Sequence, residues 1–289
     1  MDWLNGLIED WLKQGLIDAI LEKFQGMFDS INYQIGDIAA NVGKPPDAWD
    51  SNIFSMVKAL SDTVILPIAG IILTFVVTYE LIQMVMERNN MRDFDTMSIY
   101  KWIVKTFIAV YILTHAFDII IGVFGLAQSV VNQSAGVITG SLDIGAGDAL
   151  VGLEAQLQAM GVWELMGLWL ETFIVGLCLQ AMTICIFVVI FGRMIEIYLT
   201  VSLAPIPLAT MANREWGQMG NNYLKSLFAV AFQGFLIMVC VAIYAALAQN
   251  IPNADNAHAA IWTTAGYTVL LCFALFKTGS LAKSVFNAH

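Results

Sequence analysis

The stretch "SLAPIPLATMANREW" occupies residues 202–216, near the end of an apolar run that begins close to residue 165. Pro205 and Pro207 lack a backbone N–H, so they should end any helix that enters this stretch. The polar residues Arg214 and Trp216 belong to the cluster that follows at once. Irregular backbone at membrane depth is tolerated only inside protein or along a water-filled cavity. The pattern is therefore typical of a buried hairpin, the mouth of a pathway or a turn at the membrane interface, and it leaves these three readings open.

The composition indicates a membrane protein. Of the 289 residues, 58% are hydrophobic and only 12% are charged, whereas soluble domains carry about 25% charged residues. Mean hydropathy is +0.73. The sequence therefore predicts an all-α, polytopic membrane protein. The net charge of −10 argues against a basic surface for tight binding of nucleic acid, although it is compatible with the transient passage of DNA.

Two domains are predicted. Residues 1–50 read as an amphipathic helical segment, because apolar residues from Leu4 to Ile31 recur at helical spacing with acidic residues mostly between them. Such a helix can pack against protein or lie on a bilayer, and its acidic polar face favours protein packing or the outer leaflet. Residues 51–289 form the predicted transmembrane domain. Its five spans are expected at about 64–86, 106–126, 165–191, 226–248 and 260–276.

The distribution of basic residues predicts the topology. Nine of the thirteen Lys and Arg residues lie in 87–105, in 192–225 or in the C-terminal tail, whereas the loops 127–163 and 249–258 have none. Positive charge is enriched on the cytoplasmic side of membranes. We therefore expect a multi-pass protein of the cell (plasma) membrane. Its N-terminus is expected outside the cell and its C-terminus in the cytoplasm. Five spans then require that 197–212 does not cross the bilayer, so it either re-enters or lies along the inner face.

Several ionisable residues fall inside or beside the predicted spans. Charges at membrane depth are costly and usually face a bundle interior or water. They either form a polar seam along a conduit or between subunits, or they make ordinary interhelical, helix-face and interfacial contacts; for Arg193 and Glu196 the simplest interpretation is an ion pair on one helix face. These candidate residues are His115, Asp118, Glu171, Arg193 and Glu196.

No catalytic, cofactor or metal motif is present in the sequence. The three histidines lie far apart, and the four cysteines lie in apolar stretches without the spacing of redox or zinc sites. We therefore expect no enzymatic activity and no cofactor.

The arrangement of the chain resembles a known family. An amphipathic N-terminal segment, five spans and the stretch "YLTVSLAPIPLATMANREWGQMGNNYLKSLFAVAFQGF" (198–235) are similar to the TrbL-like polytopic membrane subunit of type IV secretion systems, in the version carried by Gram-positive conjugative elements. The features that match are the small-residue turn with Pro205 and Pro207, then Arg214, Trp216 and Lys225. The outer loop 127–163 is short for this family.

This resemblance implies an oligomeric ring of copies that helps form the translocation path for DNA and protein during conjugation. It also implies other secretion subunits as partners, including ATPases, besides membrane lipids and transient contact with single-stranded DNA. Two alternatives remain at this point. A stand-alone, holin-like pore would need no secretion partner, and a permease subunit should show an internal repeat of spans, which this sequence lacks.

Overall fold

The computed structural model describes residues 2–86, 96–139, 146–249, 251 and 256–288, and no β-strand occurs among them. The predicted all-α class is confirmed. The helices are α1 (Asp2–Val42), α2 (Pro46–Trp49), α3 (Ser51–Leu60), α4 (Leu66–Met86), α5 (Thr96–Thr114), α6 (Ala116–Thr139), α7 (Ala146–Ala159), α8 (Val162–Ser202), α9 (Pro205–Thr210), α10 (Gly217–Ala248) and α11 (Ala257–Val285). Arg88 and Arg92, on which the topology argument also drew, lie outside the described residues.

Within the described part of the chain, six helical segments are long and apolar enough to cross a membrane, where the sequence predicted about five. They are Ser51–Met86, Met97–Thr114, Ala116–Gly136, Val162–Ser202, Gly217–Ala248 and Ala257–Val285. The polytopic class is thus confirmed. The additional segment arises because His115 divides the second predicted span, 106–126, between α5 and α6.

Contacts with the preceding helices show how α5 and the start of α6 run. Lys105 pairs with Glu80 at 2.8 Å, and Lys58 pairs with Asp118 at 2.7 Å. From Glu80 back to Lys58 the residue number falls along α4 and α3, while the partner's number rises from Lys105 on α5 to Asp118 on α6. The segment α5–α6 therefore runs antiparallel to the segment α3–α4. Both α5 and the start of α6 therefore continue in one direction along their neighbours.

A π-helical turn, Ser61–Ile65, joins α3 to α4, so the first predicted span begins earlier than its expected start near residue 64. Pro67 therefore lies inside the continuous helical segment Ser51–Met86 and not at its beginning. A proline inside a helix lacks a donor and collides with the carbonyl four residues earlier. The wider turn just before Pro67, in which the Leu66 N–H donates to the Ser61 carbonyl, accommodates that ring.

The chain forms two compact units. The first comprises 1–43, 131–191 and 235–278, and the second comprises 44–130, 192–234 and 279–289. The division at residue 50 into an amphipathic segment and a transmembrane domain stays a prediction.

In the first unit, α1 supplies one side of the hydrophobic core. Its buried residues recur every three or four positions from Ile17 to Val42 and pack with residues of α8, α10 and α11. This is the protein packing that the sequence favoured for the segment. The partners are helices of the same chain.

The second unit has two hydrophobic clusters. One joins α3 and the start of α6 to the end of α8 and the start of α10, and includes Phe124, Met194 and Leu227. The other joins α4 and α5 to α9, through residues such as Leu73, Leu113 and Ala209. The short helix α9 is thus buried against α4 and α5, as the burial of Pro205, Leu208 and Ala209 shows.

Candidate functional site

The two prolines end α8 by removing donors that its last turn would need. In a continuous helix, residue 205 would donate to the Val201 carbonyl and residue 207 to the Leu203 carbonyl. Instead, Ala204 N–H donates to Val201 at 3.2 Å and Ile206 N–H donates to Leu203 at 3.2 Å. The predicted helix break is confirmed: α8 ends at Ser202, and Pro205 starts α9, where its fixed φ suits a first helical position.

Asn213 holds the turn between α9 and α10. Its side chain is buried, and its Oδ1 accepts hydrogen bonds from the backbone N–H groups of Glu215 (2.7 Å) and Trp216 (3.3 Å). Its Nδ2 donates to Glu80 Oε2 on α4 at 2.6 Å. One side chain therefore satisfies two backbone donors of the turn that leads into α10, and it links this turn to α4.

Glu80 links three elements. While its Oε2 accepts from Asn213, its Oε1 accepts from Lys105 Nζ on α5 at 2.8 Å. Close by, Gln83 Nε2 donates to Glu215 Oε1 at 2.9 Å. A charge-assisted hydrogen bond in a partly buried place is stronger than a neutral one, so this network ties the turn to both α4 and α5.

Trp216 adds an aromatic contact to the same turn. Its ring stacks on Tyr79 with centroids 5.4 Å apart and on Phe75 with centroids 5.3 Å apart. Offset aromatic pairs at this separation are attractive beyond their buried area. Trp216 is still 36% exposed, so one part of it packs on α4 and another part stays accessible.

Beside the turn lies a polar pocket of about 400 Å³. It combines cationic and acidic side chains with one indole, and so can take a charged or dipolar group. The lining residues are Glu80, Gln83, Met84, Ser98, Lys101, Trp102, Lys105, Arg214 and Glu215. Arg214, which the sequence singled out, is exposed there.

His115 and Asp118, which share a helix face by spacing, have different partners. His115 lies between α5 and α6, and its Nδ1 donates to the Tyr111 carbonyl at 3.0 Å. Asp118 accepts from Lys58 of α3 at 2.7 Å, and the two side chains are 63% and 40% exposed. Asp118 and Lys58 thus form an exposed ion pair between two apolar segments. The role of His115 and Asp118 in a polar seam stays a prediction.

Glu171 lies in the first unit, where its Oε2 is 2.8 Å from His258 Nδ1 at the start of α11. His258 precedes the apolar part of α11, close to the loop that the sequence places outside. The contact joins α8 to α11 by a side-chain pair, and whether Glu171 belongs to a polar seam or to the membrane interface stays a prediction.

Arg193 and Glu196 do not form the expected close ion pair, because each side chain has another nearest partner. Glu196 accepts from Lys283 of α11 at 3.0 Å, and Arg193, which is 4% exposed, donates from Nη2 to the Ala231 carbonyl at 3.4 Å. Spacing along one helix could not reveal these partners, because Ala231 and Lys283 come from later helices. Arg193 Nε has no hydrogen-bond partner among the described residues.

Sequence reasoning missed Glu80 and Asn213 as the centre of the site. Glu80 is an ionisable residue near one end of an apolar span, where an interfacial position needs no partner from a distant helix. The signal that could have found them is the combination of an acid near one end of a span and an amide directly after a proline break. Their contact joins residues 133 positions apart.

A second surface of interest is the outer side of α1. Lys23 Nζ lies 5.5 Å from the centre of the Phe173 ring, and Gln34 Nε2 donates to Thr183 Oγ1 at 2.9 Å. These contacts align α1 parallel to the most apolar part of α8. Between residues 14 and 40, the exposed positions of α1 include four acidic residues and no Lys or Arg; the acids are Asp18, Glu22, Asp29 and Asp37.

The exposed side of α8 in the same unit has the opposite character. Large apolar side chains on it are open to the surroundings, among them Ile174 (45%), Leu177 (51%) and Ile184 (65%). Such residues suit contact with lipid, whereas the acidic side of α1 suits contact with water. The first unit therefore presents two faces of opposite polarity alongside the same stretch of α8.

The fold and these surfaces define a polytopic, all-helical membrane protein with a structured proline break. Among the described residues, no group of three or more His, Cys, Asp or Glu side chains is placed to hold a metal ion. The model of the TrbL/VirB6 plasmid conjugal transfer-like protein family matches residues 31–205, which is more than half of the chain. The chain belongs to this family, as the resemblance of its sequence implied. No match was found among curated proteins or among solved structures.

Proposed function

We propose that this protein is a homo-oligomeric channel component of a conjugative type IV secretion system. In this proposal, copies of the chain form a ring in the cell membrane and help build the path by which DNA and protein leave the cell. Other secretion subunits, including ATPases that supply the energy, are its partners, and contact with single-stranded DNA is transient. Membership of the conjugal transfer family supports the assignment to such a system.

The observation that carries the channel role is the opposite polarity of the two faces of the first unit. The part of α1 between residues 14 and 40, with four exposed acids and no exposed Lys or Arg, runs along the apolar stretch 165–191 of α8. If that stretch lies in the bilayer, the acidic face cannot face hydrocarbon, because each charge there costs several kcal/mol. A ring that turns α1 inward and α8 outward satisfies both faces.

The charge of the inward face suits passage without retention. Lys and Arg are the residues that bind phosphate and make DNA affinity high. An acidic wall contributes no such binding, so a strand could move along it without being held. The basic residues in 192–225 favour the cytoplasmic side for the loop after α9, where it would shape the inner mouth.

A mating assay tests the role in transfer. The gene is deleted in frame in the native donor, and the strain is complemented in trans with the intact chain. We expect transfer to fall to background in the deletion and to return with the intact chain. Undiminished transfer from the deletion strain would contradict the proposal and favour a stand-alone pore.

The same assay tests the proline break. The variant Pro205→Ala/Pro207→Ala restores the missing donors, so α8 can extend and the turn at Asn213 loses its place on α4. We expect this variant to reach the membrane in normal amount but to leave transfer at least tenfold below that of the intact chain. A tenfold loss corresponds to destabilising the active arrangement of the break by about 1.4 kcal/mol. Pro45→Ala, which changes a proline outside the helices, is the matched control and should restore transfer fully.

A further inference from the structure

Two depressions adjoin each other at the beginning of α5, and they differ in character. The polar pocket beside the α9–α10 turn has a volume of about 400 Å³. The second is an apolar groove of about 300 Å³ along α5, lined by Tyr100, Lys101, Val104, Lys105 and Ile108. Lys101 and Lys105 line both. The polar pocket and the apolar groove are therefore neighbours on α5, and Lys101 and Lys105 lie between them.

The polar pocket holds cations that no acid in the described part of the chain neutralises. Of its three basic residues, Lys105 is paired with Glu80 at 2.8 Å. Lys101 and Arg214 have neither an ion pair nor a hydrogen bond from their side chains among the described residues. The acid Glu215 also lines the pocket, and its Oε1 accepts from Gln83. As far as the described residues go, two cations in one pocket are therefore available for an anion.

The groove continues from these cations into the membrane-compatible part of α5. Tyr100, Val104 and Ile108 are spaced four residues apart and so share one side of the helix. They belong to Met97–Thr114, a segment apolar enough to cross a bilayer. Neighbouring side chains on α5 such as Ile103 and Phe107 are also exposed. An acyl chain fits along such a surface, whereas a soluble anion would gain nothing from it.

We propose that this pair of depressions binds one anionic phospholipid of the cytoplasmic leaflet. Its phosphate lies against Lys101 and Arg214 in the polar pocket, and one acyl chain lies in the groove between Tyr100 and Ile108. Trp102, whose Nε1 donates to the Val77 carbonyl at 3.2 Å, is fixed at the level of the headgroup, where indole rings are favoured. The site does not depend on the chain's role in transfer.

The chemistry of the pocket favours a lipid over other anions. Basic side chains between helices at the cytoplasmic side of a membrane bind anionic headgroups, and each Lys or Arg near an anionic membrane surface strengthens binding by about fivefold. A bound lipid would also connect α5 to the α9–α10 turn through its phosphate, since Lys101 comes from the first and Arg214 from the second.

Native mass spectrometry of the full chain, purified in mild detergent, tests the site. The protein is titrated with phosphatidylglycerol, with phosphatidylcholine of the same acyl chains, and with inorganic phosphate. We expect one tightly bound phosphatidylglycerol, with weaker binding of phosphatidylcholine. The variant Lys101→Gln/Arg214→Gln should bind phosphatidylglycerol on the order of thirty-fold more weakly, from about fivefold for each cation.

Lys225→Gln is the matched control. Lys225 lies in the first part of α10, not far along the chain from Arg214, but it lines neither depression. This variant should bind phosphatidylglycerol as the intact chain does. A second variant, Val104→Asp, keeps both cations but places a charge in the groove, and should weaken the lipid without weakening inorganic phosphate. Equal binding of phosphatidylglycerol by the intact chain and by Lys101→Gln/Arg214→Gln, with unchanged helical content, would overturn the proposal. Displacement of the lipid by inorganic phosphate at equal concentration would overturn it as well.

Discussion

At the scale of single residues, the site depends on polar side chains that replace missing backbone contacts. Asn213 supplies acceptors to two backbone amides and a donor to Glu80, although it is 1% exposed. A buried polar group costs free energy unless it is hydrogen-bonded, and here each polar atom of the amide has a partner. The turn is therefore held by few groups, and removing one of them should be measurable.

Asn213→Ala should lower the free energy of unfolding by about 1–2 kcal/mol, because it leaves the amides of Glu215 and Trp216 and one oxygen of Glu80 without partners. Thermal unfolding in detergent, followed by circular dichroism, measures this. Asn222→Ala on α10 is the matched control, since Asn222 makes one exposed contact with Gln218, and should change stability little. Equal stability of the two variants would contradict the role given to Asn213.

Lys58 and Asp118 make a second prediction at this scale. They pair at 2.7 Å between two apolar segments, so removing one charge leaves the other alone in a poor environment for ions. We expect Asp118→Asn to reduce the amount of protein in the membrane fraction, and Lys58→Gln/Asp118→Asn to restore it. Normal accumulation of Asp118→Asn would show that the pair lies in water, and a double variant that accumulates no better than a depleted single one would contradict the role given to the unpaired Lys58 charge.

At the scale of helices, hydropathy and proline positions predicted the spans and the break after Ser202. These features are local, since a window of apolar residues or a missing donor acts on its own segment. The partners of the polar residues could not be predicted in the same way. Glu196 meets Lys283 across 87 positions, and Glu80 meets Asn213 across 133. Only the packing of helices brings such residues together.

The close approach of α9 and α10 gives a prediction at this scale. A Cβ at Gly220 would lie 2.7 Å from the Pro207 carbonyl oxygen and would collide with the Met211 side chain. Gly220→Ala should therefore push α10 from α9 and lower the free energy of unfolding by about 1–3 kcal/mol.

Gly266→Ala on α11 provides the comparison for Gly220. No atom lies within 4 Å of the Cβ position there. Alanine is the better helix former by up to about 1 kcal/mol, so this variant should be as stable as the intact chain or more so. Thermal unfolding of both variants in the same detergent decides the matter, and a stabilising Gly220→Ala would show that α9 does not pack as described.

At the scale of the whole molecule, the exposed surfaces indicate how the protein meets lipid and water, which the hydrophobic core does not. Much of α4, α5 and α8 consists of exposed apolar side chains, as lipid contact requires, whereas the exposed positions of α1 between residues 14 and 40 include four acids and no Lys or Arg. A single copy in a bilayer cannot keep the acidic side in water if α1 lies at the depth of its neighbour α8. Several copies around a common aqueous space can, and this is the central claim of the proposed function.

Cysteine accessibility tests that claim most directly. In a chain whose four native cysteines are replaced by alanine and which still supports transfer, Asp29→Cys places a thiol on the acidic side of α1. Leu177→Cys places one on the apolar side of α8 at nearly the same height, as the Lys23–Phe173 and Gln34–Thr183 contacts align them. Both positions are exposed in the protomer.

In intact membranes, a membrane-impermeant maleimide should label Asp29→Cys and not Leu177→Cys, while both label after denaturation. Equal labelling of the two in membranes, or protection of both, would contradict an aqueous path lined by α1.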